Sequence, residues 1–527
     1  MIGSSFALDA IVIAAYFAMI LSIGLWMSRG SKTLVGFALG NRQTPWWAVL
    51  ASILAAEISA ATFLGAPESG YSLGNWTYAQ FAIGTVLARI IVSFLFIPLY
   101  YRQGVISLYE FLETRFGPAT RRWASATFLV TRVLAMGTRL YVSAIIIVLA
   151  WQIWRGAGIA ASEKFWIFAG AVVLVTLLTA IYTTAGGIRA VIWTDFIQVG
   201  VLAGGLCFSI GFLLMKLPDG WATATAHMNA PLFFNFAKPK DPGTWAWLKN
   251  ILTSDYTIWA ALIGATFVTM ASHGIDQDTV QRMLTAKNRR ESARATILSG
   301  IVDLPIVCSF ILVGILVSAF YKTAAALPAD IAPREAFPFF ILTQMPAGMR
   351  GLVIAGILAT AMGSLSTALN AMATSFTRDF ILPRREVHGP LSERERVRAL
   401  RWSTVGFAVL IIMVGLATAF YMANDPGAAI IPLVLGILGY TFGSLLAVFF
   451  VAVFTTKRGN DAGNVLAMIC GFVFVVFFSS GDIQKFVGAP VLILAFPWRI
   501  TLGTIVTFLV SICFTTPSRT APNDIRL

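Results

Sequence analysis

Two apolar stretches carry oxygen-bearing side chains where a bilayer offers them no partner. The first, Trp46 to Gly65 (WWAVLASILAAEISAATFLG), puts Glu57 and Ser59 inside a run long enough to cross a membrane. A carboxylate at membrane depth is costly, which makes it a functional candidate by default. The second, Gly351 to Phe380, repeats small hydroxyls at Thr360, Ser364, Ser366, Thr367, Thr374 and Ser375. Thr360, Ser364 and Thr367 fall at helical spacing, so one stripe of the helix carries oxygens. Such a stripe either lets helices approach closely or faces water or an ion. Broken helices with freed carbonyls are one way transporters bind ions at the midplane. A break near 55–59 beside the hydroxyl stripe would make an all-oxygen site suited to sodium.

The elements that must position these groups are transmembrane helices. Hydrophobic residues make up 58% of the 527 residues and charged residues only 12%. A soluble domain carries about twice that charged fraction. The class is therefore an all-α polytopic membrane protein. Apolar stretches lie near 6–28, 46–66, 75–101, 123–153, 165–183, 190–215, 256–274, 295–321, 350–377, 399–421, 428–455, 461–480 and 490–514, about thirteen in all. The first lacks a basic leader and cleavage signal and reads as a retained helix. Cys207, Cys308, Cys470 and Cys513 lie in apolar runs without paired spacing, so they read as free thiols.

The net charge of +14 is not accompanied by basic–aromatic modules or zinc patterns, so nucleic acid is not expected as a partner. Alternate loops instead collect the arginines, as in Arg282, Lys287, Arg289, Arg290 and Arg294 or Arg378, Arg384, Arg385 and Arg394. The positive-inside rule then places the N-terminus outside and the C-terminus in the cytoplasm, in the plasma (inner) membrane of a cell. Two long outside loops, 217–255 and 322–349, include Pro239, Pro242 and the amphipathic AFPFFILTQMPAGM. The latter is placed to cap an outer vestibule.

Several runs together carry a resemblance: the two stretches above, SLYEFLETRFG (Ser107–Gly117), GGIRAVIWTDFIQ (Gly186–Gln198) and DQDTVQRMLTAK (Asp276–Lys287). In this order they resemble the sodium:solute symporter family, which includes sodium–glucose, sodium–proline and sialic acid transporters. The likeness runs from about Thr33 to about Phe380, with a looser tail. It implies a leucine-transporter-like core of five plus five helices in inverted repeat. The implied organisation is a first helix and inside loop (1–45), a transport core (46–455, repeats about 46–215 and 256–455), and two C-terminal helices with a short tail (456–527). An interruption like that at 55–59 is expected to recur near 268–275.

The resemblance also implies residue roles. Sodium would be held by the carbonyls of Ala55, Ile58 and Thr360 and the hydroxyl of Ser364. Relatives place a second hydroxyl where this chain has Gly363, which leaves the site one oxygen short unless water, Glu57 or Thr360 makes it up. Asp195, with Ser366 and Thr367, matches a second sodium position or ion path; otherwise Asp195 pairs with Arg189. By position the solute wall includes Glu57, Thr62, Phe81, Gly84, Ala135, Arg139, Thr269, Ser272, His273 and Asp303. Sugar-binding members have a lysine at the place of Asp303, so a galactose-like mode is not implied. Asp303 needs a cation: Arg139, a solute amine or a proton. Arg89, close to the end of its span, is expected to snorkel.

The function these readings favour is sodium-coupled import of a small polar organic solute: a sugar, sugar acid, carboxylate or amino acid. Sodium is the coupling ion, and no other metal or cofactor is expected. A monomer suffices. The alternatives are a proton-coupled symporter or a transporter-like membrane sensor. An enzyme is not expected, because no nucleophile–base pair or metal-binding motif is present. A channel would need rings of charge or filter loops, which are absent.

Overall fold

The computed structural model describes residues 2–28, 32–58, 60–155, 160–228, 233–236, 243–329, 331–424 and 430–516. Ser59, Pro239, Pro242 and the C-terminal tail from 517 lie outside the described residues. Regular structure among the described residues is helical, apart from the isolated bridges Thr44–Ala286 and Arg458–Thr515. The helices that matter for the site are α1 (Ile2–Met27), α2 (Trp46–Glu57), α3 (Ala60–Leu73), α4 (Phe81–Gln103), α5 (Pro118–Arg155), α6 (Ala161–Lys216), α7 (Ala265–Gly274), α8 (Gln277–Met283), α9 (Arg289–Thr323), α10 (Ala336–Gln344) and α11 (Met349–Phe376). Four more complete the bundle: α12 (Glu393–Asn424), α13 (Ile430–Phe454), α14 (Asp461–Ser479) and α15 (Phe496–Ile512). Among the described residues, nine helices are long and apolar enough to cross a membrane, and Trp46–Glu57, Ala260–Gly274 and Phe496–Ile512 are shorter apolar ones.

Helix α11 is the axis of the bundle. Every residue from Val353 to Ser375 is buried, so no face of it meets lipid. Its widest contact is with α6, and it also packs on α1, α5 and α12. Small residues permit this: a bulkier stripe would hold the neighbours away. Hydroxyls within the apolar helices close onto their own backbone, as when Thr176, Thr179 and Thr183 donate to the carbonyls four residues earlier at 2.7–2.8 Å. The bilayer supplies no other acceptor.

The stretches 165–183 and 190–215 are two helical arms of α6 that meet at a sharp kink at Gly187 (φ 58, ψ −154). That backbone conformation is open to glycine, and a Cβ there would lie 2.5 Å from the Phe37 carbonyl oxygen. The second interruption falls at the end of 268–275. A π-turn, Ala260–Gly264, runs directly into α7, which stays helical to Gly274 and stops at Ile275. Asp276 then caps α8, its Oδ1 accepting from Asp278 N at 3.1 Å.

Candidate functional site

The site begins where α2 stops. Ile58 leaves the helical region (φ −76, ψ 83) and its N–H donates to Leu54 O at 2.9 Å. A helix ending there leaves the last carbonyls without intrahelical donors. Two of them find side chains instead: Ser364 Oγ donates to Ala56 O at 3.3 Å, and Thr62 Oγ1 donates to Glu57 O at 3.4 Å. The Ala55 carbonyl oxygen lies 3.4 Å from where a Cβ of Gly363 would stand. The broken end of α2 and the hydroxyl face of α11 are thus brought together. On α11 itself, Thr360 Oγ1 donates to Ile357 O at 2.7 Å, while Ser366 and Thr367 both donate to Gly363 O, at 3.1 and 3.0 Å. Each hydroxyl keeps lone pairs that a cation can use.

Beside the break lies a cavity of about 670 Å³, a size suited to a small organic solute. Glu57, Thr62, Arg139, Thr269, Ser272, His273 and Asp303 all line it, as does Phe81. Gly84 and Ala135 do not. Gly84 instead packs its backbone against the Ala261 carbonyl, and Ala135 is fully buried in α5. Aromatic walls come from Tyr78, Phe81, Tyr256, Phe442 and Phe496. Arg334, just ahead of α10, also lines the cavity, so the 322–349 loop reaches its mouth.

The charges in this cavity are mostly paired. Arg89 does not snorkel. It is 0% exposed, ion-paired to Glu57 Oε1, and donates Nη1 to Ser299 Oγ at 3.0 Å. The pull of a carboxylate exposed by the α2 break outweighs the reach to the interface. His273 Nε2 stands 3.0 Å from the same Glu57 oxygen, and Ser272 Oγ is 3.0 Å from its Nδ1. Arg132 pairs with Asp276 and, at 3.4 Å, with Asp278. Asp303 and Arg139 do not pair with each other; among the described residues neither enters an ion pair. Arg139 borders Ser364 through a second, small cavity.

Asp195 lies deeper, 0% exposed, between α2, α8 and α11. Its partner is not Arg189, which is exposed, but Arg282, at 3.6 Å. Ser52 Oγ also donates to Asp195 Oδ2 at 2.6 Å. Arg282 is likewise 0% exposed and lies 3.8 Å from Asp278 on its other side. A buried line of alternating charge therefore runs Asp195–Arg282–Asp278–Arg132, from the α11 stripe to the cavity. The sequence alone assigns no site role to Arg89, Arg282, Ser52 or Gln198. The signal available was their position: an arginine or glutamine in an apolar or motif-bearing stretch needs a partner, and Arg282 and Gln198 stand inside two of the quoted motifs.

A third network closes the end of the bundle near Phe376. Asp379 accepts from Ser125 at 2.6 Å, Ser107 at 2.9 Å and Arg121 Nε at 2.9 Å, and Arg378 Nε donates to Glu110 at 2.5 Å. It engages Ser107 and Glu110 of SLYEFLETRFG, while Arg115 of the same run donates to the Thr455 and Arg458 carbonyls.

Comparison with known proteins sets this geometry beside others. The model of the sodium:solute symporter family matches residues 37–471. The sodium/sialic acid symporter of Proteus mirabilis is 29% identical over 470 residues, 88% of each chain. The sodium/glucose cotransporter of Vibrio parahaemolyticus is 28% identical over 507 residues, 90% of this chain and 85% of the other. A solved structure of a Na+-coupled sialic acid symporter, in a substrate-bound outward-open state, superposes with a TM-score of 0.77 at 25% identity, over 96% of this chain and 97% of the other.

Proposed function

Because this chain belongs to the sodium:solute symporter family, we propose that it uses a sodium gradient to import a small polar organic solute by alternating access. The observation that carries this reading is the break after Glu57. There the freed carbonyl end of α2 meets the hydroxyl of Ser364 directly beside a polar cavity of about 670 Å³. Sodium is taken by the carbonyls of Ala55, Ile58 and Thr360 with Ser364 Oγ. Asp195, Ser366 and Thr367 form a second ion position. The solute contacts Glu57, Thr62, Arg139, Thr269, Ser272, His273 and Asp303.

Each of these groups has a plain task. Sodium bound across the break ties α2 to α11 and so favours one arrangement of the two halves. Glu57, paired with Arg89 and flanked by His273, offers the solute a fixed acceptor. Asp303 and Arg139, which have no ion-pair partner, offer it unshared charge of either sign. The relatives' sialic acid and glucose put hydroxylated solutes and sugar acids first, with amino acids and other carboxylates next.

The two repeats span about 46–215 and 256–455, followed by two further helices. The N-terminus is outside, the C-terminus is cytoplasmic, and one chain works alone. No catalytic step or further cofactor is involved. A thermal-shift screen of sugars, sugar acids, amino acids and carboxylates, each in sodium and in choline medium, tests the reading. A solute that raises Tm chiefly in sodium supports it; stabilisation identical in both media across every hit contradicts sodium coupling.

A further inference from the structure

Gly363 stands where three oxygens from two other helices converge. A Cβ built on it would lie 2.7 Å from Gln198 Oε1, 3.4 Å from Ala55 O and 3.4 Å from Asp195 Oδ1. Asp195 and Gln198 are three residues apart on α6 and so point the same way. They are 0% and 2% exposed. Asp195 Oδ1 makes no hydrogen bond, nor does either polar atom of the Gln198 amide. The other carboxylate oxygen, Oδ2, is already engaged by Ser52 and faces Arg282. The buried Tyr16 and Tyr182 hydroxyls stand beside the Gln198 amide, but a buried carboxylate oxygen left without a hydrogen bond is costly, and its convergence with the amide oxygen makes a place for a positive charge.

We propose that Gln198 supplies the sodium ligand which a hydroxyl at position 363 supplies in related chains. Over Gly363 the ion bound at the Ala55 carbonyl and Ser364 then also meets Gln198 Oε1, with Asp195 Oδ1 on the side of the second ion position. The inference rests on the sodium reading above and deepens it. The glycine is not a missing ligand; it is the space into which the amide reaches. All three donors are oxygen and only one is anionic. Arg282 already shares that anion, so the balance suits a hard monovalent cation rather than calcium, which gathers six to eight oxygens and more carboxylate. Ala55 stands at the broken end of α2, so an ion here also joins α6 to the break.

The experiment measures the sodium dependence of solute uptake, and of Tm in sodium against choline, for four variants. Gly363→Ala pushes the Gln198 amide aside and returns no oxygen, so apparent sodium affinity falls about tenfold, the size of one good contact. Gly363→Ser displaces the amide but returns a hydroxyl and stays within about threefold of the parent. Gln198→Leu falls like Gly363→Ala. Gln198→Glu presents oxygen whichever way its end is turned, and sodium binds more tightly. Should Gln198→Leu fold poorly in choline medium, Gln198→Glu decides. Unchanged sodium affinity in both Gln198 variants overturns the proposal. If Asp195→Asn still weakens sodium in that case, the sodium-coupling reading stands and only the role of Gln198 fails. Wild-type uptake indifferent to sodium would instead sink the sodium-coupling reading itself.

Discussion

Arg89 reaches from the middle of α4 to Glu57 at the broken end of α2, and its guanidinium is wholly buried there against Ser299 and His273. The pair closes one side of the solute cavity and holds the break in place from behind. Removing one partner leaves a buried charge uncompensated, which costs about 3–5 kcal/mol in comparable pairs. Glu57→Gln and Arg89→Gln should therefore each lower stability strongly, and the double variant should recover part of the loss. A double-mutant cycle on unfolding in detergent reads the coupling; additive losses would show that the two side chains act independently.

Asp303 makes the contrasting prediction. It lines the cavity and enters no ion pair, so Asp303→Asn should leave Tm near that of the parent. Its effect should fall on the solute, with affinity lowered about tenfold or more if a charge-assisted hydrogen bond worth about 1.5–3 kcal/mol is lost. Isothermal titration of the solute found by thermal shift makes the comparison. A large fall in Tm with unchanged affinity would assign Asp303 to the scaffold instead.

Arg282 lies between Asp195 and Asp278, 3.6 and 3.8 Å away, and hydrogen-bonds to neither. Arg282→Gln leaves Asp195 without its buried counter-charge. Sodium should then stabilise the variant more than it stabilises the parent, because the ion replaces the lost charge. The check is the difference in Tm between sodium and choline media for the two proteins. An equal difference would mean that Asp195 does not meet the ion.

The class and the site's parts were largely legible in the sequence because both depend on what a bilayer forbids. Glu57, the hydroxyls of α11 and Asp195 stood out as polar groups where lipid offers no partner. Partner choice was less legible. Position in the span suggests that Arg89 reaches the interface, and Arg139 is one of three partners open to Asp303, yet Arg89 pairs with Glu57 and, among the described residues, Arg139 enters no ion pair. Such pairings depend on how α4, α5 and α9 cross, which no local pattern encodes.

Sodium and solute binding should also be reciprocal, since the ion and the solute share the break. If sodium tightens the solute by a given factor, the solute must tighten sodium by the same factor, commonly about 5–150-fold. Paired titrations at saturating and zero co-ligand measure both. Unequal factors would mean that a further ion enters the cycle.

The central claim is tested most directly by uptake into proteoliposomes. The purified protein, given a sodium gradient directed inward and the solute from the thermal-shift screen, should accumulate that solute above its external concentration. Choline in place of sodium, or a sodium ionophore that dissipates the gradient, should abolish the accumulation. Accumulation that persists in choline and follows an imposed proton gradient would contradict sodium coupling and point to proton-driven transport.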